Sequence, residues 1–282
     1  MWKYLQALVN LYLYSSLHIA ICAGLLGVET YLILREEINL PVVLCLAFGT
    51  LSIYSLHRIV GINKTIAFSD QGRFKIIKKF ARHLKVYFIL SSIAFLYFFF
   101  QLEHRQIFLI CAAFLPTLLY VLPVFPKGKR LRDYPFIKIF IIAFVWSYLT
   151  IVVPVSGYLN VLLWLLAIER ILFFLAITIP FDIRDMEVDG DTGVPTLIHR
   201  LGILRSKQLA VLFLILCSIL ISILWSNHMI DIEYLIALFS TYFISTILII
   251  LSKPGLHDWF YSGLIDGTIG IRMILYSLLL LI

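Results

Sequence analysis

Residues 182–202 read DIRDMEVDGDTGVPTLIHRLG, and the rest of the chain takes its meaning from them. Five acids fall within ten positions: Asp182, Asp185, Glu187, Asp189 and Asp191. Asp182, Asp185 and Asp189 are spaced three and then four apart, which stacks them on one face of a helix with about one turn between neighbours. Like charges placed so repel one another. At the end of the apolar run that precedes them they also meet the negative end of a helix dipole. A divalent cation relieves both problems, and a site of carboxylate and phosphate oxygens suits Mg²⁺. The stretch therefore reads as a Mg²⁺–diphosphate site at a membrane surface, with a solvated acidic loop as the plain alternative. Pro180 is expected to kink or end the helix before the acids, while Gly190, Gly193 and Pro195 shape a loop after them. Ser206 is the expected N-cap of the next helix.

Around these acids the chain is greasy. Of its 282 residues 62% are hydrophobic and 14% charged, with a mean hydropathy of +1.00. A soluble domain carries about 25% charged residues. Nine apolar runs approach the length needed to cross the hydrocarbon core, at 11–34, 40–61, 86–101, 106–124, 137–155, 159–181, 207–225, 232–251 and 264–282. The fold class is all-α, a polytopic membrane protein with one domain over residues 1–282. With the N-terminus placed inside, 19 of the 23 Lys and Arg fall on the cytoplasmic side. Arg35 and Arg105 lie on the other side, and Arg170 and Arg272 within spans. This bias puts the Asp stretch in the cytoplasm and the C-terminus outside, with a bacterial inner membrane as the expected location. The net charge of +7 then belongs to topology and anionic headgroups, not to nucleic acid. Cys22, Cys45, Cys111 and Cys217 are scattered in apolar runs and read as small packing residues.

Two basic loops share the face of the acids. Residues 74–84, FKIIKKFARHL, have the period of an amphipathic helix lying on headgroups, or of a simple topology anchor. Residues 125–133, FPKGKRLRD, follow Tyr120 and bring Lys127, Lys129, Arg130 and Arg132. Cations there would either neutralise a diphosphate or fix the topology. Charges within spans are costly and need partners. Glu169 and Arg170 are adjacent, so they point in different directions and pair with other helices, for which Glu29 and Arg272 are candidates. His57 and Arg58 close the second span, where a lone His is more often structural or snorkelling than catalytic.

Asp182-Ile-Arg-Asp185-Met-Glu-Val-Asp189, followed by Gly-Asp-Thr-Gly193-Val-Pro-Thr196-Leu, resembles the second aspartate motif of the UbiA-type intramembrane prenyltransferases, D-x-x-D-x-x-x-D with a Gly/Thr-Leu stretch behind it. The nine-span layout and the Tyr plus Lys/Arg loop after the fourth span agree with that family. The resemblance implies a ring of nine helices around a central cavity open sideways to lipid. It implies transfer of a polyprenyl group from its diphosphate to a lipophilic acceptor, an aromatic quinone precursor being the expected kind. Asp182, Asp185 and Asp189 would be the catalytic Mg²⁺ ligands, and Lys127, Arg130, Arg58, Lys64 and Tyr120 would surround the diphosphate. The family's first motif, N-D-x-x-D-x-x-x-D, should end the second span. Residues 55–63 read SLHRIVGIN there, without an acid, so Arg58, His57 or Lys64 would contact phosphate directly in place of one metal. An inactive isoprenoid-binding relative is the alternative. A transporter is a weaker one, because the spans show no internal duplication.

Overall fold

The structure, a computed structural model, describes residues 2–64, 80–134, 136–155, 157, 160–191 and 196–282. Among them it is helical apart from short turns and one isolated bridge between Phe125 and Lys129. In chain order the helices are α1 (Trp2–Tyr14), α2 (Leu17–Leu34), α3 (Leu40–Lys64), α4 (Ala81–Phe99), α5 (His104–Val121), α6 (Ile137–Ser147), α7 (Val161–Asp191), α8 (Leu197–Ser226), α9 (Ile232–Leu251) and α10 (Asp266–Leu279). Two π-helical turns interrupt the pattern: Tyr148–Val152 continues α6 and Phe260–Ile265 leads into α10. Eight helical stretches are long and apolar enough to cross a bilayer, and the apolar stretch Ile137–Val152 is shorter. Large apolar side chains stand out from the bundle, among them Phe100, Phe108 and Phe243. In water such a surface would be a liability, whereas facing lipid tails it carries no penalty. The chain is thus an integral membrane protein of packed helices.

Boundaries differ from the sequence expectation where packing overrides local preference. The run expected to span from residue 11 is broken, because α1 ends at Tyr14, Ser16 takes a φ of 69° and α2 starts at Leu17. Leu13, Tyr14 and Ser16 are all buried, which holds the strained turn in place. Pro180 neither ends nor interrupts α7, which runs through it for 31 residues to Asp191. Buried Ile177, Ile179 and Ile183 on either side of the proline clamp the helix, so its missing N–H does not break it. At 1.5 Å per residue α7 is about 46 Å long and outreaches a hydrocarbon core of about 30 Å. Ser206 is not the cap of α8. Thr196 occupies that place, and the Ser206 hydroxyl donates instead to the Gly202 carbonyl at 2.8 Å. Gly202 itself kinks α8 with φ 78° and ψ 166°, a backbone that suits glycine. Of the amphipathic segment expected over 74–84, residues 74–79 lie outside the described residues, and α4 begins at Ala81.

The helices pack in a ring, in the order α2, α3, α5, α6, α7, α8, α9, α10 and back to α2, with α4 against the outside of α3. The seam between α10 and α2 is tight. A side chain at Gly270 would stand 3.3 Å from Leu25 and 3.4 Å from the Cys22 sulfur. Four charges without any exposure tie the ring together within its apolar spans: Glu29 on α2, Glu169 and Arg170 on α7, and Arg272 on α10. Arg272 spans both acids, with Nε 3.0 Å from each Glu29 oxygen and Nη2 2.9 Å from Glu169 Oε2. Arg170 reaches Glu29 Oε1 at 2.8 Å and Thr150 Oγ1 at 3.0 Å. Tyr234 donates to Glu29 at 2.8 Å, Tyr242 donates to Glu169, and Arg272 lies over the Phe173 ring at 4.9 Å. As their adjacency implied, Glu169 and Arg170 find partners on other helices. Each ion is desolvated, so removing one leaves its partners stranded. Arg272→Met should lower stability against SDS unfolding in micelles by about 3–5 kcal/mol, and a loss under about 0.5 kcal/mol would show that the network holds nothing.

Candidate functional site

The end of α7 carries Asp182, Asp185 and Asp189 inward, with relative exposures of 2%, 7% and 9%. The helix that the sequence expected to stop here continues, and its continuity is what stacks the three acids. Each is met by a cation. Lys138, in the first turn of α6, puts Nζ 2.7 Å from Asp182 Oδ1 and 3.6 Å from Asp189 Oδ2. Phe136, with a φ of 62°, turns the chain into α6 just before that lysine. Arg184 folds back onto its sequence neighbour, with Nε 2.8 Å from Asp185 Oδ1 and Nη2 3.2 Å from Oδ2. Its Nη1 reaches Asp258 at 2.8 Å. The guanidinium lies over the rings of Phe181 at 4.8 Å and Tyr261 at 5.6 Å. Arg184 thereby joins the acidic face of α7 to the segment that leads into α10.

The basic loop after α5 folds as two short 3-10 turns, Pro126–Gly128 and Leu131–Asp133, closed by a bond from the Phe125 N–H to the Lys129 carbonyl at 3.0 Å. Arg130 is taken up locally by Asp133, at 2.8 Å through Nη2 and 3.2 Å through Nε. Arg132 is the cation that turns inward. It donates to His57 Nε2 and lies 5.4 Å from the centre of the Tyr120 ring, which itself lies 6.1 Å from His57. Burial works against the charge of Arg132, but Tyr120, Asp189, Asp185 and Asp133 outweigh it and raise its pKa. Arg58 donates to the carbonyls of Tyr14 and Leu13, the latter at 3.3 Å, and so closes the end of α1. The side chains of Lys64 and Lys127 lie outside the described residues.

Tyr54, His57, Arg132, Lys138, Arg184 and Asp266 are surrounded by dense protein, yet each keeps part of its surface accessible. They lie close enough to act on one another's charge, Tyr54 with Asp266, Asp266 with Arg184, and His57 with Arg132 and Lys138. Beside Asp182 a narrow, partly open crevice is lined by Arg132, Tyr134, Lys138, Asp182 and Thr196 among others. The structure thus brings Asp182, Asp185, Asp189 and Tyr120 together, and puts Arg132 where Arg130 was expected. Lys138, Arg184 and Asp258 were not foreseen. The signal for Lys138 was present, since it is a charge inside an apolar helix start, IKIF, and such charges have partners.

Carboxylate oxygens are the donors that Mg²⁺ takes. Their arrangement here is another matter. Lys138 bridges Asp182 and Asp189, Arg184 holds Asp185, and among the described residues no group of three or more His, Cys, Asp or Glu is placed to hold a metal ion. As arranged, the three acids do not fit a shared Mg²⁺.

No family model matches the chain, and no curated protein matches it in sequence. Solved structures do match its shape. A digeranylgeranylglyceryl phosphate synthase aligns with a TM-score of 0.59 at 19% identity, over 97% of this chain and 98% of its own. A UbiA homologue from Archaeoglobus fulgidus bound to GPP and Mg²⁺ aligns with a TM-score of 0.69 at 11% identity, over 97% of this chain and 100% of its own. A UbiA homologue from Aeropyrum pernix K1 aligns with a TM-score of 0.55 at 12% identity, over 96% and 97%. The chain therefore has the fold of the UbiA homologues along nearly its whole length. The Arg184 bridge is testable directly. A double-mutant cycle of Arg184→Gln with Asp258→Asn should return a coupling of about 1–3 kcal/mol in micelle unfolding, and additive losses would show that the bridge is idle.

Proposed function

We propose that this chain is an intramembrane prenyltransferase, which binds a prenyl diphosphate with its head between α6 and α7 and its tail within the helical ring. One observation carries the reading. Three buried carboxylates on one face of α7 meet two inward cations at the end of the ring where α7 finishes. The fold supports it, since a homologue of the same shape was solved with GPP and Mg²⁺ and again with DMAPP and Mg²⁺. The acceptor is a lipophilic molecule that enters from the bilayer, an aromatic quinone precursor by the family resemblance. The excess of Lys and Arg on one side supports a cytoplasmic diphosphate site, with the C-terminus outside, as in a bacterial inner membrane.

The chemistry asks three things of these residues. As the allylic C–O bond breaks, both electrons leave with the diphosphate, and Lys138 and Arg132 stabilise the charge that gathers there. The allylic cation left behind is steadied by aromatic ring faces, for which Tyr54 is the candidate. The acceptor then forms the new bond and gives up a proton. Asp185, fixed by Arg184, keeps the acidic face of α7 in place during these events.

Membranes holding the full chain, given tritiated geranyl diphosphate and total host lipid as acceptor, should form prenylated lipid. Asp185→Asn should slow this by about a hundredfold, the usual cost of losing one electrostatic group at such a centre. An unaffected Asp185→Asn variant would remove the acids from the reaction. Binding without turnover by the unaltered chain would make it a non-catalytic isoprenoid-binding protein instead.

A further inference from the structure

Lys138 occupies the place between Asp182 and Asp189 that a bridging cation would take. The lysine is held there by design of the backbone, one residue into α6 behind the left-handed turn at Phe136. Arg132 stands nearby and is anchored from behind by His57 and Tyr120, leaving its charge turned toward Asp185 and Asp189. Residues 55–63, where the family pattern would place a second set of acids, contain none, and His57 from that stretch holds Arg132 instead. One wall of the site thus carries no acid, while the other carries a fixed ammonium. The crevice beside Asp182 is lined by Lys138, Arg132, Tyr134 and Thr196 together with the apolar Phe136, Ile139 and Leu197, so the two cations are its donors for phosphate oxygens.

We propose that Lys138 and Arg132 grip the diphosphate directly and take over the work of a divalent ion, so that substrate binding in this protein needs no metal. This rests on the prenyl-diphosphate reading above. Two fixed positive charges match the charge of one divalent ion at the same spot. An ion drawn to Asp182 and Asp189 would have to displace the lysine from both. A diphosphate entering the crevice shares the two cations with the acids, and Arg184 keeps Asp185 from adding an uncompensated charge.

Binding of tritiated geranyl diphosphate to the purified full chain in nanodiscs decides it, measured once with EDTA and once with Mg²⁺. The unaltered chain should bind in EDTA within about threefold of its affinity in Mg²⁺. Lys138→Gln should lose roughly tenfold or more in EDTA, the value of a charge-assisted bond, and regain it when Mg²⁺ enters the vacated carboxylates. Lys138→Arg, which keeps the charge and guards against a folding defect, should keep metal-free binding. Binding by the unaltered chain only with Mg²⁺, or a Lys138→Gln variant unchanged in EDTA, overturns the proposal and leaves the transferase reading standing. No binding in either condition sinks both.

Discussion

The site depends on a constraint in the first third of α7. Glu169 and Arg170 are locked to α2 and α10 with no access to water. Asp182 lies twelve residues beyond Arg170, roughly 18 Å along the same helix. A helix turns by 100° per residue, so slippage by a single position at the lock would swing Asp182 and Asp189 away from Lys138. Charged groups in hydrocarbon have few alternative partners, which makes the lock specific in a way that packed leucines are not. The membrane interior thereby sets the rotation of a surface site it does not touch.

At the surface end the rule is neutralisation. Three like charges on one helix face are unstable alone, and the chain answers with Lys138 from α6 and Arg184 from α7 itself. Arg184 does more than cancel charge. Through Asp258 and the rings of Phe181 and Tyr261 it ties the end of α7 to the start of the last span. Of the two arginines in the basic loop, Arg130 is spent on Asp133 while Arg132 faces inward.

Much of this was legible in the sequence. Apolar runs marked the helices, and the three-and-four spacing put Asp182, Asp185 and Asp189 on one face. The pairing of Glu29 with Arg272 and Arg170 also followed from the cost of intramembrane charge. Finer choices depended on tertiary contacts. Pro180 looks like a stop until buried isoleucines on both sides hold the helix through it. Arg130 and Arg132 are two positions apart in a loop, and no local rule says which turns inward. Arg184 next to Asp185 would not be paired with it by helix geometry, yet a long side chain folds back far enough to do so. Lys138 is marked in the sequence as a charge that needs a partner, but which acid on the adjacent α7 it takes follows only from the packing.

The closure of the ring has a consequence for biogenesis. Glu29 sits in the first long span, and Arg272, which satisfies both of its oxygens, is 243 residues further on. During synthesis the first span enters the bilayer long before its counter-ion exists. Arg170 arrives 141 residues after Glu29 and can serve as an interim escort. Until the final span is delivered, Glu169 also lacks its guanidinium, so the half-made protein carries an open seam in the lipid. Quality-control proteases that read charged spans would find their signal there, and it vanishes only when the last helix docks beside the first.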